Sequence, residues 1–219
     1  MSRVSRTLSV EVVTAPEAIA ASPPVSGAAA PSLALLRLRP PSCHLVVRDV
    51  GAPAEPRARA SLWWDSSPTL DGRRTGRIGH YAAADDHAAA ALLDAALATL
   101  RAHGAAVAVG PMDGSTWFGY RFVTDRRGAL ATPPPPFVLE PDQPDDWPRQ
   151  WRAHGFAPLA HYTSTVVDDL APRASWLETV RARLAAAGIT LRTLDAAHFD
   201  TELDRIHRVA TESFAHAFL

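Results

Sequence analysis

Lysine is absent from this chain, because all 22 of its basic residues are arginines. Schiff-base and lysine-nucleophile chemistry are therefore excluded for these 219 residues. Cysteine is nearly absent as well: Cys43 stands alone, which excludes an internal disulfide and a thiolate-rich metal site and fits a reducing compartment. Cys43 precedes the apolar run 45–47, so we interpret it as a small buried hydrophobic residue.

The chain also lacks an excess of one charge, since it has 22 basic and 23 acidic residues. No stretch shows the basic stripe that phosphate binding needs, so we expect no nucleic-acid partner. No run approaches the roughly 20 apolar residues of a membrane span, and residues 1–31 lack the apolar core of a signal peptide. We therefore expect a cytoplasmic protein without a membrane partner. The nine histidines do not converge in sequence, and we expect no metal site.

The N-terminal region, 1–41, is predicted to stand apart from the first packed domain. Residues 9–13 alternate well enough for an edge strand. Residues 15–31 consist mainly of Ala, Ser, Pro and Gly, so they have little to bury, and we expect them to be loosely ordered.

Strand patterns follow in the ranges 44–48, 58–64 and 77–83, separated by Pro, Gly and Asp turns. The simplest interpretation is a meander of three strands. The two neighbouring residues Trp63 and Trp64 must point to opposite faces of their strand, so at most one of them can line a pocket. Core packing is the alternative for both.

The period then becomes helical over 87–103, with small and leucine side chains recurring on one face. Asp85 and Asp86 are suited to the start of this helix, and Gly104 is suited to its end. The short apolar run 105–109 predicts a strand lying centrally in the sheet beside one of the earlier strands.

Further elements are predicted downstream. They are a strand at 137–139, a helix at 145–154 that ends at Gly155, a strand at 159–167, a helix at 175–187 that ends at Gly188, a strand at 189–194 and a helix at 199–218. No Gly or Pro closes the last helix, so we expect 42–170 to form one domain and 171–219 to begin an incomplete second unit.

The turn 110–117 follows the helix and the short strand directly. In open α/β sheets ligands bind beyond the carboxyl ends of strands, so this turn predicts a substrate site. Its candidate residues are Asp113, Ser115, Thr116, Trp117, Tyr120 and Arg121. The polar side chains could bind an amine or hydroxyl, the aromatic rings could form walls, and the arginine could pair with a carboxylate. In the alternative interpretation Asp113 and Gly114 make a turn, Ser115 or Asp113 caps a short helix and Trp117 fills the core.

Two strand histidines, His80 and His161, could face a cleft as bases near neutral pH, although a structural hydrogen bond is the alternative for each. No catalytic residue can be named from the sequence.

The element order over 44–165 resembles that of the GNAT-type N-acyltransferases. The segment 151–156, Trp-Arg-Ala-His-Gly-Phe, is similar to the Tyr-Glu-Lys-x-Gly-Phe ending of that family, and the helix and strand of 92–109 fit its pattern. The resemblance implies an α/β fold with a mixed central sheet flanked by helices. It also implies transfer of an acetyl or other acyl group from acyl-CoA to a small-molecule amine.

The segments 110–117, 120–121 and 63–64 look like those of GNAT-like proteins with two units in tandem. Residues 188–195 and the helix after them are similar to the opening of another such unit. The resemblance therefore implies a second GNAT-like unit as partner, in the same or a neighbouring chain.

Two positions depart from the family pattern. The family binds the CoA pyrophosphate with a Gly-rich loop before a helix, whereas the matching loop here, 82–87, has no glycine and carries Asp85 and Asp86. The tyrosine that protonates the leaving thiolate is replaced by Trp151, whose indole cannot give up that proton. The first unit is therefore expected to have lost ordinary CoA catalysis. The alternative is a non-catalytic unit that covers the second domain as a scaffold or binds a small ligand.

Overall fold

Two compact units make up the chain, residues 1–157 and 158–218. The structure is a computed structural model, and it describes residues 6–65, 67–126, 136, 140–165 and 174–214. The predicted boundaries at 41/42 and 170/171 stay predictions, although the N-terminal strand lies in the same unit as the main sheet.

The sheet of the first unit is a meander with one parallel addition. Its strands are β1 (Leu8–Val13), β2 (Cys43–Asp49), β3 (Ala52–Trp63), β4 (Thr69–Leu70), β5 (Arg73–Ala83) and β6 (Val107–Val109). The pairs β1–β2, β2–β3, β3–β5 and β4–β5 are antiparallel, and β6 pairs in parallel with β5. The three predicted strands and their meander are confirmed. As predicted, β6 lies beside one of the earlier strands, β5. Its predicted central position is not found, because in the described part of the chain β6 pairs with β5 alone.

Helix α3 (Asp86–Ala102) joins β5 to β6 and covers one face of the sheet. It begins where Asp85 accepts a 2.8 Å hydrogen bond from the Ala88 N–H, and its end is followed by Gly104 at a φ of +83°. Leu92, Leu93 and Leu100 are fully buried, because the 3.6-residue period places them on the face toward the sheet. The predicted helix and both of its end signals are confirmed.

Strand alternation separates an apolar face from a polar one. Cys43, Leu45 and Val47 join the apolar core beneath α3. His44, which lies between Cys43 and Leu45, and Ser61, its partner on β3, are fully buried without belonging to that cluster. The second face therefore carries polar side chains away from solvent.

The helices α1 (Pro16–Ala20) and α2 (Leu33–Leu38) connect β1 to β2. The expectation of loose order over 15–31 is wrong for its apolar side chains, because Ile19 and Val25 are almost completely buried. Composition did not reveal this burial, and Val25 joins the apolar core that the sheet strands share with α3.

Helix α4 (Asp146–Ala153) closes the described part of the first unit and is followed by Gly155 at a φ of +87°. Trp147 and Trp151 are buried, and each ring centroid lies 5.4 Å from that of Tyr81 on β5. The predicted short helix is confirmed. The first unit is thus an α/β structure in which helices flank a mixed sheet.

The second unit contains α5 (Ala174–Ala186), a 3₁₀ turn (Ala196–His198) and α6 (Phe199–Ser213). The helices predicted at 175–187 and from 199 are confirmed, whereas 159–165 and 189–194 are not strands. Glu202 binds Arg192 at 2.6 Å and Arg205 at 2.7 Å. The predicted strand at 137–139 and the end of the last predicted helix lie outside the described residues. Among the described helices, none is long and apolar enough to cross a membrane.

Candidate functional site

A cavity of about 430 Å³ opens between α2 and the turn that follows β6. Its lining comprises Leu35, Arg39, His80, Asp113, Thr116, Trp117, Phe118, Gly119, Tyr120, Arg121 and Pro141. Five of the six predicted site residues are in this set. Ser115 is not, and its Oγ instead accepts a 3.4 Å hydrogen bond from the Trp117 N–H. Leu35 and Arg39 line the cavity as well, although neither is among the predicted site residues.

A β-bulge in β5 positions the floor of the cavity. Gly79 pairs with Ser61 and Ala82 pairs with Arg59, so His80 and Tyr81 together face one residue of β3. His80 takes a left-handed φ of +49°. Its backbone N–H then leaves the strand ladder and donates to Oδ1 of Asp113 at 2.5 Å.

The turn after β6 stays close to β5 through main-chain contacts. The Met112 N–H donates to the Ile78 carbonyl at 2.8 Å, and the Asp113 N–H donates to the Gly119 carbonyl at 2.7 Å. A Cβ on Gly79 would stand 2.1 Å from the Met112 carbonyl oxygen, so this approach requires glycine. These contacts hold Asp113 beside the bulge.

A row of three polar side chains runs from the interior to the cavity. The Ser61 hydroxyl lies 2.8 Å from Nδ1 of His44 and 2.9 Å from Nδ1 of His80. Burial, helped by Arg59 and His80, lowers the pKa of His44 to about 3. Burial also lowers the pKa of His80, against the attraction of Asp113 and with a contribution from Arg59. Both imidazoles are therefore neutral at pH 7.

Arg59 lies beside this row and is only 3% exposed. Its Nη2 donates to the Ala29 carbonyl, whereas Nε and Nη1 are buried and have no hydrogen-bond partner in the ranges that the structure describes. Burial lowers the pKa of Arg59 to about 10, and the charge of Asp113 acts in the opposite direction. The guanidinium remains a cation at neutral pH and partly offsets Asp113.

The two arginines of the cavity differ in their partners. Arg121 donates to the Tyr120 hydroxyl at 2.6 Å and lies 3.5 Å from Glu140, so the predicted carboxylate-binding arginine already has an internal carboxylate. Arg39 is exposed, and no hydrogen bond or ion pair holds it among the residues described. It is the cavity cation that a ligand can reach without displacing an internal partner.

The tryptophans near the cavity differ in exposure and in their contacts. Trp117 is 80% exposed, so the alternative in which it fills the core is wrong. Trp63 is buried edge-on against His80, with ring centroids 5.3 Å apart, and Trp64 stacks on His103 at 3.9 Å. Neither member of the Trp63–Trp64 pair lines the cavity.

The start of α3 is already occupied by protein groups. Asp85 caps the helix and binds Arg57 at 2.5 Å, with Arg6 at 3.6 Å. Burial raises the pKa of Asp85, but the Ala88 N–H and Arg57 outweigh that effect and leave the pKa lowered. Asp86 binds Arg149 at 2.8 Å. A pyrophosphate at this end would have to displace the cap and three ion pairs.

The remaining sequence candidates do not extend the site. Trp151 is 3% exposed and packs where a Cβ on Gly110 would stand, so it is a core residue. Burial raises the pKa of the Cys43 thiol to about 11, in keeping with its interpretation as a buried hydrophobic residue. His161 is exposed and lies outside any strand. Within the described ranges, no three His, Cys, Asp or Glu side chains are grouped as metal ligands.

Comparison with known proteins gives no match to a family model, a curated protein or a solved structure.

Proposed function

We propose that the first unit binds a small organic molecule in the cavity above His80 and Asp113. The observation that carries this proposal is the cavity itself, which combines an exposed tryptophan wall, an accessible arginine and a buried histidine network on a fixed floor. Its volume of about 430 Å³ falls within the roughly 300–1,000 Å³ typical of small-molecule sites. Apolar walls with a few placed polar groups are also typical of such sites.

The groups at the start of α3 also support a binding function that does not involve CoA. The N–H groups that would receive a pyrophosphate lie next to Asp85, which already caps the helix and pairs with Arg57. A diphosphate would meet two carboxylates there and would have to break their ion pairs. This argues that the first unit does not bind acyl-CoA at residues 82–87.

A second candidate is that the whole protein is a GNAT-like N-acyltransferase. It is favoured by the order of the elements: an antiparallel meander, a helix leaving β5, a parallel strand, and a short helix ending in Gly155 and Phe156. In this proposal the cavity takes the small-molecule amine, and acyl-CoA binds to a second GNAT-like unit in the same or a neighbouring chain. Attack of the neutral amine on the thioester would then depend mainly on positioning and on a general base.

Isothermal titration with acetyl-CoA and a fluorescence screen of small molecules separate the two candidates. Ligand binding should change the emission of Trp117, because that ring is exposed at the cavity wall. The variant Trp117→Ala should remove the response and weaken binding. The control Trp176→Ala, which changes a 59% exposed tryptophan of the second unit, should leave both unchanged.

Micromolar binding of acetyl-CoA that is abolished by changes at 84–88 would contradict the first proposal. A cavity ligand whose binding is indifferent to Trp117→Ala would contradict it as well. Acyl transfer to an amine, dependent on Trp117 but not on Asp85, would establish the second candidate.

A further inference from the structure

Two histidines share one hydroxyl group in the buried row. Ser61 Oγ lies within hydrogen-bond distance of Nδ1 of both His44 and His80. The hydroxyl carries one proton, so it can donate to only one of them and must accept from the other. The two imidazoles are therefore different tautomers whenever both are neutral.

The shared hydroxyl also determines which of the two histidines carries a hydrogen on Nε2. If His44 donates through Nδ1–H, its Nε2 is bare, and His80, which accepts at Nδ1, carries its hydrogen on Nε2. In the reverse arrangement His44 carries an Nε2–H and His80 presents a bare Nε2. Only one of the two Nε2 atoms bears a hydrogen.

The surroundings of His44 favour the first arrangement. Its Nε2 is fully buried and has no hydrogen-bond partner within the described part of the chain, and a buried N–H without an acceptor is among the rarest defects of folded proteins. In the neighbouring Arg59, the nitrogens Nε and Nη1 are buried donors that already lack an acceptor among the described residues. A further donor here would add to the unpaired donors already present, whereas a bare Nε2 would add none.

Nε2 of His80 is in a different position. It has no partner among the described residues and is not one of the buried unsatisfied atoms, and His80 lines the cavity. The chain of bonds from His44 through Ser61 therefore ends in an N–H that a ligand can reach. A donor at this point binds an oxygen with a lone pair rather than an ammonium group.

The charged groups at the cavity lead to the same ligand chemistry. Arg39 is accessible, and Arg121 adds a second guanidinium that is balanced by Glu140. Asp113, the acidic lining residue, is committed through Oδ1 to the His80 N–H and is offset by the buried Arg59. We propose that the cavity selects a small carboxylate with an aromatic or apolar body, its oxygens bound by His80 Nε2–H and Arg39 and its body against Trp117. This inference rests on the proposed binding function.

Phenylacetate and phenethylamine are matched probes, because they share one body and differ in the sign of the charge. Titration of the full chain at pH 7 should give tighter binding of phenylacetate by about tenfold or more, as expected for a hydrogen bond to a charged group. Nitrogen-15 NMR of the histidine side chains should show His80 as the Nε2–H tautomer and His44 as the Nδ1–H tautomer.

The variant His80→Asn isolates the donor. Its amide oxygen can still accept from Ser61, and Asn tolerates the left-handed backbone of this position, but the N–H toward the cavity is lost. Phenylacetate binding should weaken by about tenfold while the folded structure is retained. Arg39→Gln should also weaken it, and the control Arg37→Gln, two positions earlier in the last turn of α2 but bonded to Glu17, should not.

The outcomes distinguish two failures. Binding of neither probe overturns the proposed binding function and this inference with it. Tighter binding of phenethylamine, an Nδ1–H tautomer at His80, or phenylacetate binding that is unchanged in His80→Asn overturns the carboxylate inference and leaves the binding function standing.

Discussion

The backbone N–H of His80 donates a 2.5 Å hydrogen bond to the side chain of Asp113, 33 positions further along the chain. The main-chain N–H of His80, within strand β5, thus donates to a side-chain carboxylate instead of to a carbonyl of a neighbouring strand. The bulge and the turn at the cavity form one structure because of this bond.

Asp113→Ala should destabilise the first unit by about 1–3 kcal/mol, because it leaves the partly buried His80 N–H without an acceptor and removes the charge near Arg59. Urea unfolding followed by circular dichroism measures the change. The control Asp65→Ala makes the same substitution at an exposed position and should have little effect. Equal losses of unfolding free energy in the two variants would show that the hydrogen bond does not stabilise the first unit.

Gly79→Ala should cost about 2 kcal/mol or more, since the added methyl group would meet the Met112 carbonyl oxygen at 2.1 Å and push the turn from β5. Gly51→Ala is the matched control, because its nearest contact is 3.4 Å away, at the side chain of Asp49. Thermal unfolding of both variants provides the measurement. A stable Gly79→Ala protein with unchanged ligand affinity would contradict the close approach of the Met112 carbonyl to Gly79.

Acid should weaken the folded state through His44. Its pKa lies near 3 in the folded protein and near 6.5 when unfolded, so between these values the unfolded chain binds more protons. Stability is therefore complete above about pH 6.5 and falls as the pH drops toward 3, by up to about 1.4 kcal/mol per pH unit. His80 acts in the same direction.

His44→Asn removes this titration and keeps an amide that can bond to Ser61. The free energy of unfolding should then depend less steeply on pH between 6.5 and 5 than in the wild type, as measured by urea unfolding at successive pH values. The exposed His87→Asn serves as control and should preserve the wild-type slope. Identical slopes in wild type and His44→Asn would disprove the assignment.

Gln150→Leu should destabilise the α4 contact by about 1–3 kcal/mol, because the buried Tyr81 hydroxyl loses the amide oxygen to which it donates at 2.9 Å. The adjacent Arg149→Ala breaks a two-point contact with Asp86 but acts at an exposed position, so its effect should be much smaller and should shrink further in salt. Comparison of the two unfolding midpoints tests the ranking. The reverse order would mean that the surface ion pair dominates.

The sequence predicted the elements whose signals are local. Helix α3 carries its own cap, its own apolar period and its own glycine, so Asp85, Leu92 and Gly104 were sufficient to locate it. The strands 189–194 and 159–165 were wrongly predicted, because alternation in a short apolar run does not supply the neighbouring strand that a ladder needs.

The cavity could be predicted only in part. Asp113, Thr116 and Trp117 come from one turn, and the change from an apolar strand to polar turn residues marked it. Arg39 comes from the end of a short helix more than seventy positions earlier, and only the tertiary structure brings it there. The contact of Ser61 with two histidines depends on strand register and on a bulge, neither of which single-sequence alternation reveals. Polar residues inside apolar strands were the available sign of it.

The hydrogen bond from the His80 amide to the Asp113 side chain also affects the exchange of that amide with deuterium. Rotation of one carboxylate suffices to open this site, whereas the Met112 amide, held by the Ile78 carbonyl, opens only when main chains separate. Ligand seated above Asp113 would restrain that rotation. A ligand in the cavity would therefore slow deuterium uptake at the His80 amide. The Met112 amide would serve as the internal reference.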